Sequence, residues 1–165
     1  MSRIILCLTI SLLGIIGIKA WANDTSAQKW SAEQQEIISI LENGPMGIET
    51  DFEAWEDEFH LDWTVWFPGQ ASARAKKPHM DDVRNYIERG AKIISYEADF
   101  ADIIVFGKTA VARFNAIETI KEPDSKIRIV YYGSTDYLIR VGATWKIRST
   151  TVALQSAPKK NNKEM

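Results

Sequence analysis

The chain of 165 residues is 45% hydrophobic and 25% charged, with a formal charge of −2. That is enough for one domain with a sizeable core, since a chain near 150 residues buries roughly 70% of its unfolded surface. The apolar content excludes intrinsic disorder, nine glycines and five prolines exclude a collagen-like or low-complexity chain, and the mild charge gives no electrostatic case for nucleic acid.

The N-terminus reads as an address rather than a fold. Arg3 supplies a short positive start, Ile4 to Ile18 is almost wholly apolar, and Ala20-Trp21-Ala22 is a small-x-small cleavage signature. A spanning helix needs about 20 apolar residues, and this run stops at Ile18 with Lys19 behind it. The expectation is a signal peptide over 1–22, cleaved before Asn23, with no stable membrane span afterwards and a periplasmic or secreted product. Cleavage removes Arg3, Lys19 and the single cysteine, Cys7, so the formal charge becomes −4. Thiol catalysis, disulfides, thiolate zinc and iron–sulfur chemistry are then excluded. His60 and His79 have no ligand spacing, and no metal or cofactor is expected. The other expected segments are a flexible stretch over 23–30, a folded domain over 31–154 and a disordered, Lys/Asn-rich tail over 155–165.

Helices come first. Ser31 and Gln34 form a capping-box pattern, Ile37, Ile38 and Leu41 share a face, and Asn43-Gly44-Pro45 predicts a stop. A short second helix starts at Thr50, boxed by Glu53, with Phe52, Trp55 and Phe59 at helical spacing and the acidic residues between them facing water. Trp63 to Phe67 is β-rich and ends at Pro68-Gly69, which predicts a strand. Trp63 and Trp66 then point to opposite faces. Residues 71–78 read as a basic loop. A third helix covers about Met80 to Arg89, with Val83, Tyr86 and Ile87 as its stripe and Gly90 as its stop. Lys76-Lys77 and Lys159-Lys160 read as solvated charge.

From Ile93 the period becomes two. Two β-prone runs flank Asp99 up to Phe106. Strands follow over Thr109–Ile120, Lys126–Val141 and Thr144–Leu154, separated by turns at Gly107-Lys108, Glu122 to Ser125 and Gly142-Ala143. Three helices followed by antiparallel strands predict an α+β domain, with the N-terminal helices packed on a curved, mostly antiparallel sheet.

In that order, two segments carry a resemblance. Ser134-Thr135-Asp136-Tyr137-Leu138-Ile139-Arg140-Val141-Gly142-Ala143-Thr144-Trp145-Lys146-Ile147 looks like a T-D-hydrophobic strand, a turn and a W-K-I closing strand. Phe59-His60-Leu61-Asp62-Trp63 to Pro68-Gly69 looks like a helix end, first strand and P-G junction. Over roughly residues 31–154 the chain resembles the nuclear-transport-factor-2-like superfamily, in particular its SnoaL-like branch, relatives of the ketosteroid isomerases. The resemblance implies a cone-shaped, cystatin-like fold with an internal cavity and frequent pairing of subunits through the sheet.

If residues 122–125 close a simple hairpin, Asn115 pairs near Tyr132, Arg113 near Ser134 and Val111 near Asp136. One face then carries Arg113, Asn115, Tyr132, Ser134 and Asp136, and the other Ala112, Phe114 and Tyr131. A one-residue bulge would reverse the assignment. In the isomerase relatives the aspartate aligned with Asp136 points into the cone, which implies a ligand-binding set of Arg113, Asn115, Tyr132, Ser134 and Asp136, with Phe67 and Tyr86 at its edge. Asp136, if desolvated, would serve as general acid or hydrogen-bond donor. Spacing alone equally allows Arg113 and Asp136 to be an exposed ion pair. His60 and Asp62 could form an acid/base pair, although a helix-terminus histidine beside a solvated carboxylate is favoured.

Departures weigh against steroid-type isomerisation. The relatives' catalytic aspartate position holds Phe67, the first helix has no tyrosine, and Arg148-Ser149-Thr150-Thr151-Val152 lacks a base that titrates near neutral pH. No phosphate loop or nucleophile elbow appears. The expected function is binding of a small apolar or amphipathic molecule. The alternatives are a cofactor-independent acid–base enzyme of isomerase, cyclase or hydrolase type, and a module that dimerises through the Ala112, Phe114 and Tyr131 face.

Overall fold

The structure, a computed structural model, describes residues 29–157. The expected signal peptide, residues 23–28 and residues 158–165 of the expected tail lie outside them. The elements run α1 (Ala32–Gly47), α2 (Phe52–Asp57), β1 (Phe59–Trp66), β2 (Arg74–Ala75), α3 (Lys76–Glu88), β3 (Lys92–Phe106), β4 (Thr109–Lys121), β5 (Ile127–Val141) and β6 (Thr144–Gln155). The domain is α+β: three helices pack on a curved six-stranded sheet of order β2-β1-β6-β5-β4-β3. β1 runs parallel to β6, and every other neighbouring pair is antiparallel.

Local chemistry accounts for most element ends. Ser31 caps α1 through the expected capping box, its hydroxyl accepting from the Gln34 N–H at 3.3 Å while Gln34 Oε1 accepts from the Ser31 N–H at 2.8 Å. Asp51, not Thr50, caps α2 by accepting from the Ala54 N–H at 2.9 Å. The expected stop of α1 at residues 43–45 is overridden, and the helix carries Pro45 to Gly47. Proline removes one backbone donor and costs helix stability; Gly44 and Ile48 are buried on either side of it, and that packing offsets the cost. α3 begins four residues before the expected Met80, taking Pro78 into its first turn, where a missing N–H costs little. The segment read as a loop thus holds β2 and the start of α3.

The hydrophobic core lies between the helices and the concave sheet face. Ile37, Leu41, Phe52, Trp63, Met80, Phe114, Leu138, Trp145 and Ile147 are all buried there. Gln34 Nε2 ties α1 to the β3 backbone, donating to Ile103 O at 2.7 Å. Arg140 on β5 holds α1 through Glu33 and Glu36, and its guanidinium lies over the Trp145 ring. The sheet curves at irregularities in β3, near residues 93–95 and 100–102, and in the β5–β6 ladder at 137–138. The first of these strands is one continuous element rather than two runs.

The turns decide the register. Gly107 and Gly142, at φ 59° and 63°, each open a two-residue loop, as a hairpin turn of this length requires. The β4–β5 loop differs. Its closing bonds are Glu122 N–H to Lys126 O at 2.8 Å and Ser125 N–H to Glu122 O at 2.9 Å, so Pro123, Asp124 and Ser125 form a three-residue loop with Ser125 at φ 66°. The loop is one residue shorter than the turn expected over 122–125, and this shifts the pairing by one. Ala112 faces Asp136, Phe114 faces Ser134 and Ala116 faces Tyr132. The hairpin expected from residues 122–125 is therefore corrected: Arg113 and Asn115 share the outer face with Thr135 and Gly133, while Ala112 and Phe114 turn inward.

Ser125 holds a left-handed conformation that costs an L-residue roughly 1–2 kcal/mol. Ser125→Gly should raise stability by about 0.5–1 kcal/mol and Ser125→Val should lower it by about 1 kcal/mol or more, read from denaturant midpoints. Equal stability of the two variants would mean that this turn is not left-handed and that the register does not rest on it.

Candidate functional site

A cavity of about 420 Å³ lies between the concave sheet face and the three helices. Its walls are mainly apolar, with Ile40 and Leu41 from α1, Val65 from β1, Val83 and Ile87 from α3, and Phe114 from β4. Aromatic side chains form a ladder along one side. Trp55 packs edge-to-face on Phe59 at 5.1 Å between centroids, Phe59 on Trp63 at 4.6 Å, and Trp63 on His79 at 5.3 Å.

Asp136 is the cavity's most buried ionisable group, at 3% exposure. Strand alternation on β5 places it inward with Tyr132 and Ser134. The Ser134 hydroxyl donates to Asp136 Oδ1 at 3.2 Å. Trp63 Nε1–H donates to Thr150 Oγ1 at 3.0 Å, which leaves the Thr150 hydroxyl hydrogen for Asp136. Burial pushes the Asp136 carboxyl up to about 6, against the pull of the Thr150 and Ser134 hydroxyls. Beside it, the hydroxyls of Tyr96 and Tyr132 hydrogen-bond each other, and burial pushes both phenols up.

Three further ionisable groups reach the cavity, Glu58, Glu118 and His79, and the first corrects the expectation that the acidic residues between Phe52 and Phe59 all face water. Glu58 sits at the α2–β1 junction, where its carbonyl accepts from the Ile147 N–H at 2.9 Å and so anchors the residue to β6. Its carboxyl makes no hydrogen bond or ion pair among the described residues; burial pushes it up to about 7, with only a distant pull from Lys146. The Lys146 ammonium is spent on Asp57, at 2.6 Å from its carbonyl and 2.7 Å from its carboxylate. Glu118, on β4, is raised by burial and lowered in part by Arg128. His79, on the first turn of α3, packs against Trp63 and Phe67, and its buried Nδ1 has no hydrogen-bond partner. Burial, helped by Arg74, holds its pKa below the ordinary value. At neutral pH the imidazole is therefore uncharged.

Of the sequence-predicted residues, Phe67, Tyr86, Tyr132, Ser134 and Asp136 line the cavity. Arg113 and Asn115 do not. Arg113 pairs with Asp102 at 2.7 Å on the outer face, and Asn115 Oδ1 accepts from Gln155 Nε2 at 3.0 Å. The supposed Arg113–Asp136 pairing is thus replaced by two separate arrangements on opposite faces. Tyr86, at the rim, donates to Glu122 and accepts from Arg128 Nη2 at 3.2 Å. His60 Nδ1 accepts from the Asp62 backbone N–H at 3.1 Å outside the cavity, while Trp66 points outward and donates to Gln70 O at 3.0 Å. Glu58 was readable in principle, because its i, i+3, i+4 relation with Trp55 and Phe59 puts it on the aromatic face rather than in water. Among the described residues, no group of three or more His, Cys, Asp or Glu is placed to hold a metal, and no helix is long and apolar enough to cross a membrane.

No family model and no curated protein sequence matches the chain. Solved structures do. A ketosteroid isomerase-like protein from Erwinia carotovora atroseptica superposes with a TM-score of 0.62 at 13% identity, covering 78% of this chain and 100% of its own. The fold is NTF2-like. An NTF2-like protein with a cystatin-like fold from Novosphingobium aromaticivorans gives a TM-score of 0.58 at 18% identity, covering 76% of this chain and 84% of that one. A Catenulispora acidiphila protein in complex with S-DNPA gives 0.58 at 17% identity, with 76% and 95% covered. At these identities the likeness is one of fold.

A carboxyl whose folded-state pKa is raised favours the folded chain in its protonated form. For Asp136, ordinarily near 3.8 and here about 6, that stabilisation is full below about pH 3.8 and is lost as the pH rises through about 6. The difference is on the order of 3 kcal/mol. Asp136→Asn should therefore match the parent within about 1 kcal/mol at pH 4 and exceed it by up to about 3 kcal/mol at pH 8, measured by urea unfolding. A variant less stable than the parent at pH 8 would mean that ionised Asp136 is a stabilising partner rather than a desolvated acid.

Proposed function

We propose that this NTF2-like domain binds a small, largely apolar molecule with a polar head group inside its cone. The observation that carries this reading is the cavity itself: about 420 Å³, walled by apolar and aromatic side chains, with Asp136, Tyr132 and Tyr96 as a few inward-facing polar groups. Such a combination of apolar walls and sparse, fixed polar groups is what small-molecule sites require. The reading includes export, supported by Ala20-Trp21-Ala22 behind an apolar run. It includes self-association through the outer sheet face, where Ile104, Ile117, Ile129 and Tyr137 are exposed together. This face replaces the Ala112 and Phe114 surface expected from sequence, since both of those residues are buried inward.

Mass spectrometry of the protein isolated from the organism that makes it reads all three features. A denatured mass lacking residues 1–22 supports export, a native mass of twice that value supports the dimer, and an additional non-covalent mass released on denaturation supports the ligand. A full-length denatured mass, a purely monomeric native mass and a native mass equal to bare protein would each remove the corresponding part.

A second reading, acid–base catalysis, is favoured by one observation: Asp136 and Glu58 face the same cavity with pKa values pushed up to about 6 and about 7. A partly protonated Asp136 donates to a developing oxyanion, and Glu58 accepts a proton near neutral pH. On this reading the protein speeds deuterium incorporation next to the carbonyl of cyclohexenone in D2O, followed by NMR, and Glu58→Gln lowers that rate at least about a hundredfold. No acceleration over buffer would leave binding as the function.

A further inference from the structure

The cavity is walled by acids and by aromatic rings, and its cations are already engaged. Three ionisable carboxyls reach it, from Glu58, Glu118 and Asp136. Against them stand Arg128, whose Nε donates to Glu122 and whose Nη2 donates to Tyr86, and His79, which burial keeps neutral. Of the neighbouring lysines, Lys146 is held on Asp57 and Lys76 on the Phe59 carbonyl.

Among the described residues neither Glu58 nor Glu118 has a hydrogen-bond or ion-pair partner, and Glu58 is the one set against aromatic rings. It lies against the Trp55 indole at the foot of α1, where Gly44 leaves the room. A Cβ built on Gly44 would fall 2.8 Å from Glu58 Oε2 and 3.3 Å from the Trp55 ring. Trp55 and Phe59 flank Glu58 in the sequence and line the same cavity. A carboxylate set among aromatic rings in an apolar-walled site is an arrangement that recognises an organic ammonium. The carboxylate supplies the countercharge, and the electron-rich ring faces attract the cation. A neutral ligand would expel water and leave Glu58 desolvated without compensation, and an anionic one would add repulsion.

We propose that the ligand of this cavity is an organic cation, an amine or quaternary ammonium on an apolar body, with its charged nitrogen held by Glu58 beside the edge-to-face pair of Trp55 and Phe59. This rests on the ligand-binding reading and names the charge of the guest. The apolar body extends along Trp63 and Phe114. Burial raises the Glu58 carboxyl, and a bound cation would offset the cost of ionising it there.

The test uses three probes of one shape, 4-phenylbutylamine, 4-phenylbutanol and 4-phenylbutanoate, titrated at pH 8 into the full chain and followed by tryptophan fluorescence. The amine should bind at least about tenfold more tightly than the alcohol, and the carboxylate most weakly. Glu58→Gln should abolish the preference for the amine while leaving the affinity for the alcohol within about twofold. Equal binding of amine and alcohol by the parent chain overturns the proposal and leaves the cavity reading standing. A loss in Glu58→Gln that is the same for both probes also overturns it. Failure of all three probes to bind overturns the proposal together with the ligand-binding reading on which it rests.

Discussion

Strand alternation binds the site to the length of one turn. Side chains two apart on β4 and β5 share a face, so the pairing of these strands decides as a block which residues see the cavity. The loop of Pro123, Asp124 and Ser125 sets that pairing through the left-handed Ser125 and the closing bond between Glu122 and Lys126. Asp136, Ser134 and Tyr132 turn inward opposite Ala112, Phe114 and Ala116 for this reason alone. With one residue fewer in the loop, Arg113 and Asn115 would stand opposite these inward positions of β5, and a guanidinium would meet Asp136.

The consequence is a cavity whose acids are desolvated rather than paired. Asp136 has only hydroxyl donors, from Ser134 and Thr150, and Thr150 is oriented by the Trp63 indole. Hydroxyl hydrogen bonds offset part of the cost of burying a carboxylate, whereas an ion pair would have pulled its pKa well down. The arginines of the sheet are used elsewhere. Arg113 pairs with Asp102, Arg140 pins α1 to β5, and Arg128 is held at the rim by Glu122 and Tyr86. Cationic charge is thus arranged around the outside and the mouth, and the interior keeps carboxyls that titrate near neutral pH. Groups whose pKa values burial displaces, gathered in one cleft, are the kind of arrangement that functional sites use, although structural networks also produce it.

The position that carries a catalytic aspartate in the resembling isomerases holds Phe67, which lies on the cavity wall against His79. The acidic group on this side of the cone comes instead from Glu58 at the opposite end of β1, fixed by the backbone bond to Ile147. In this chain the sheet and helices shape the wall, and Glu58, Glu118 and Asp136 supply its carboxyls.

Much of this was legible in the residues. The capping box at Ser31 and Gln34, the glycines of the two short turns, the period-two strands and the α+β order follow from local propensities, which act over a few residues and do not depend on the rest of the chain. Strand alternation groups Tyr132, Ser134 and Asp136 on one face, and the resemblance is what points that face into the cavity. The continuation of α1 through Pro45, the parallel docking of β1 on β6, the one-residue shift that sent Arg113 and Asn115 outward, and the inward turn of Glu58 and His79 were decided only by the tertiary structure. Each depends on contacts between segments far apart in the chain, whose burial and backbone pairing outweigh local preference. The local code therefore settled which elements form, and packing settled which side chains they turn toward the cavity.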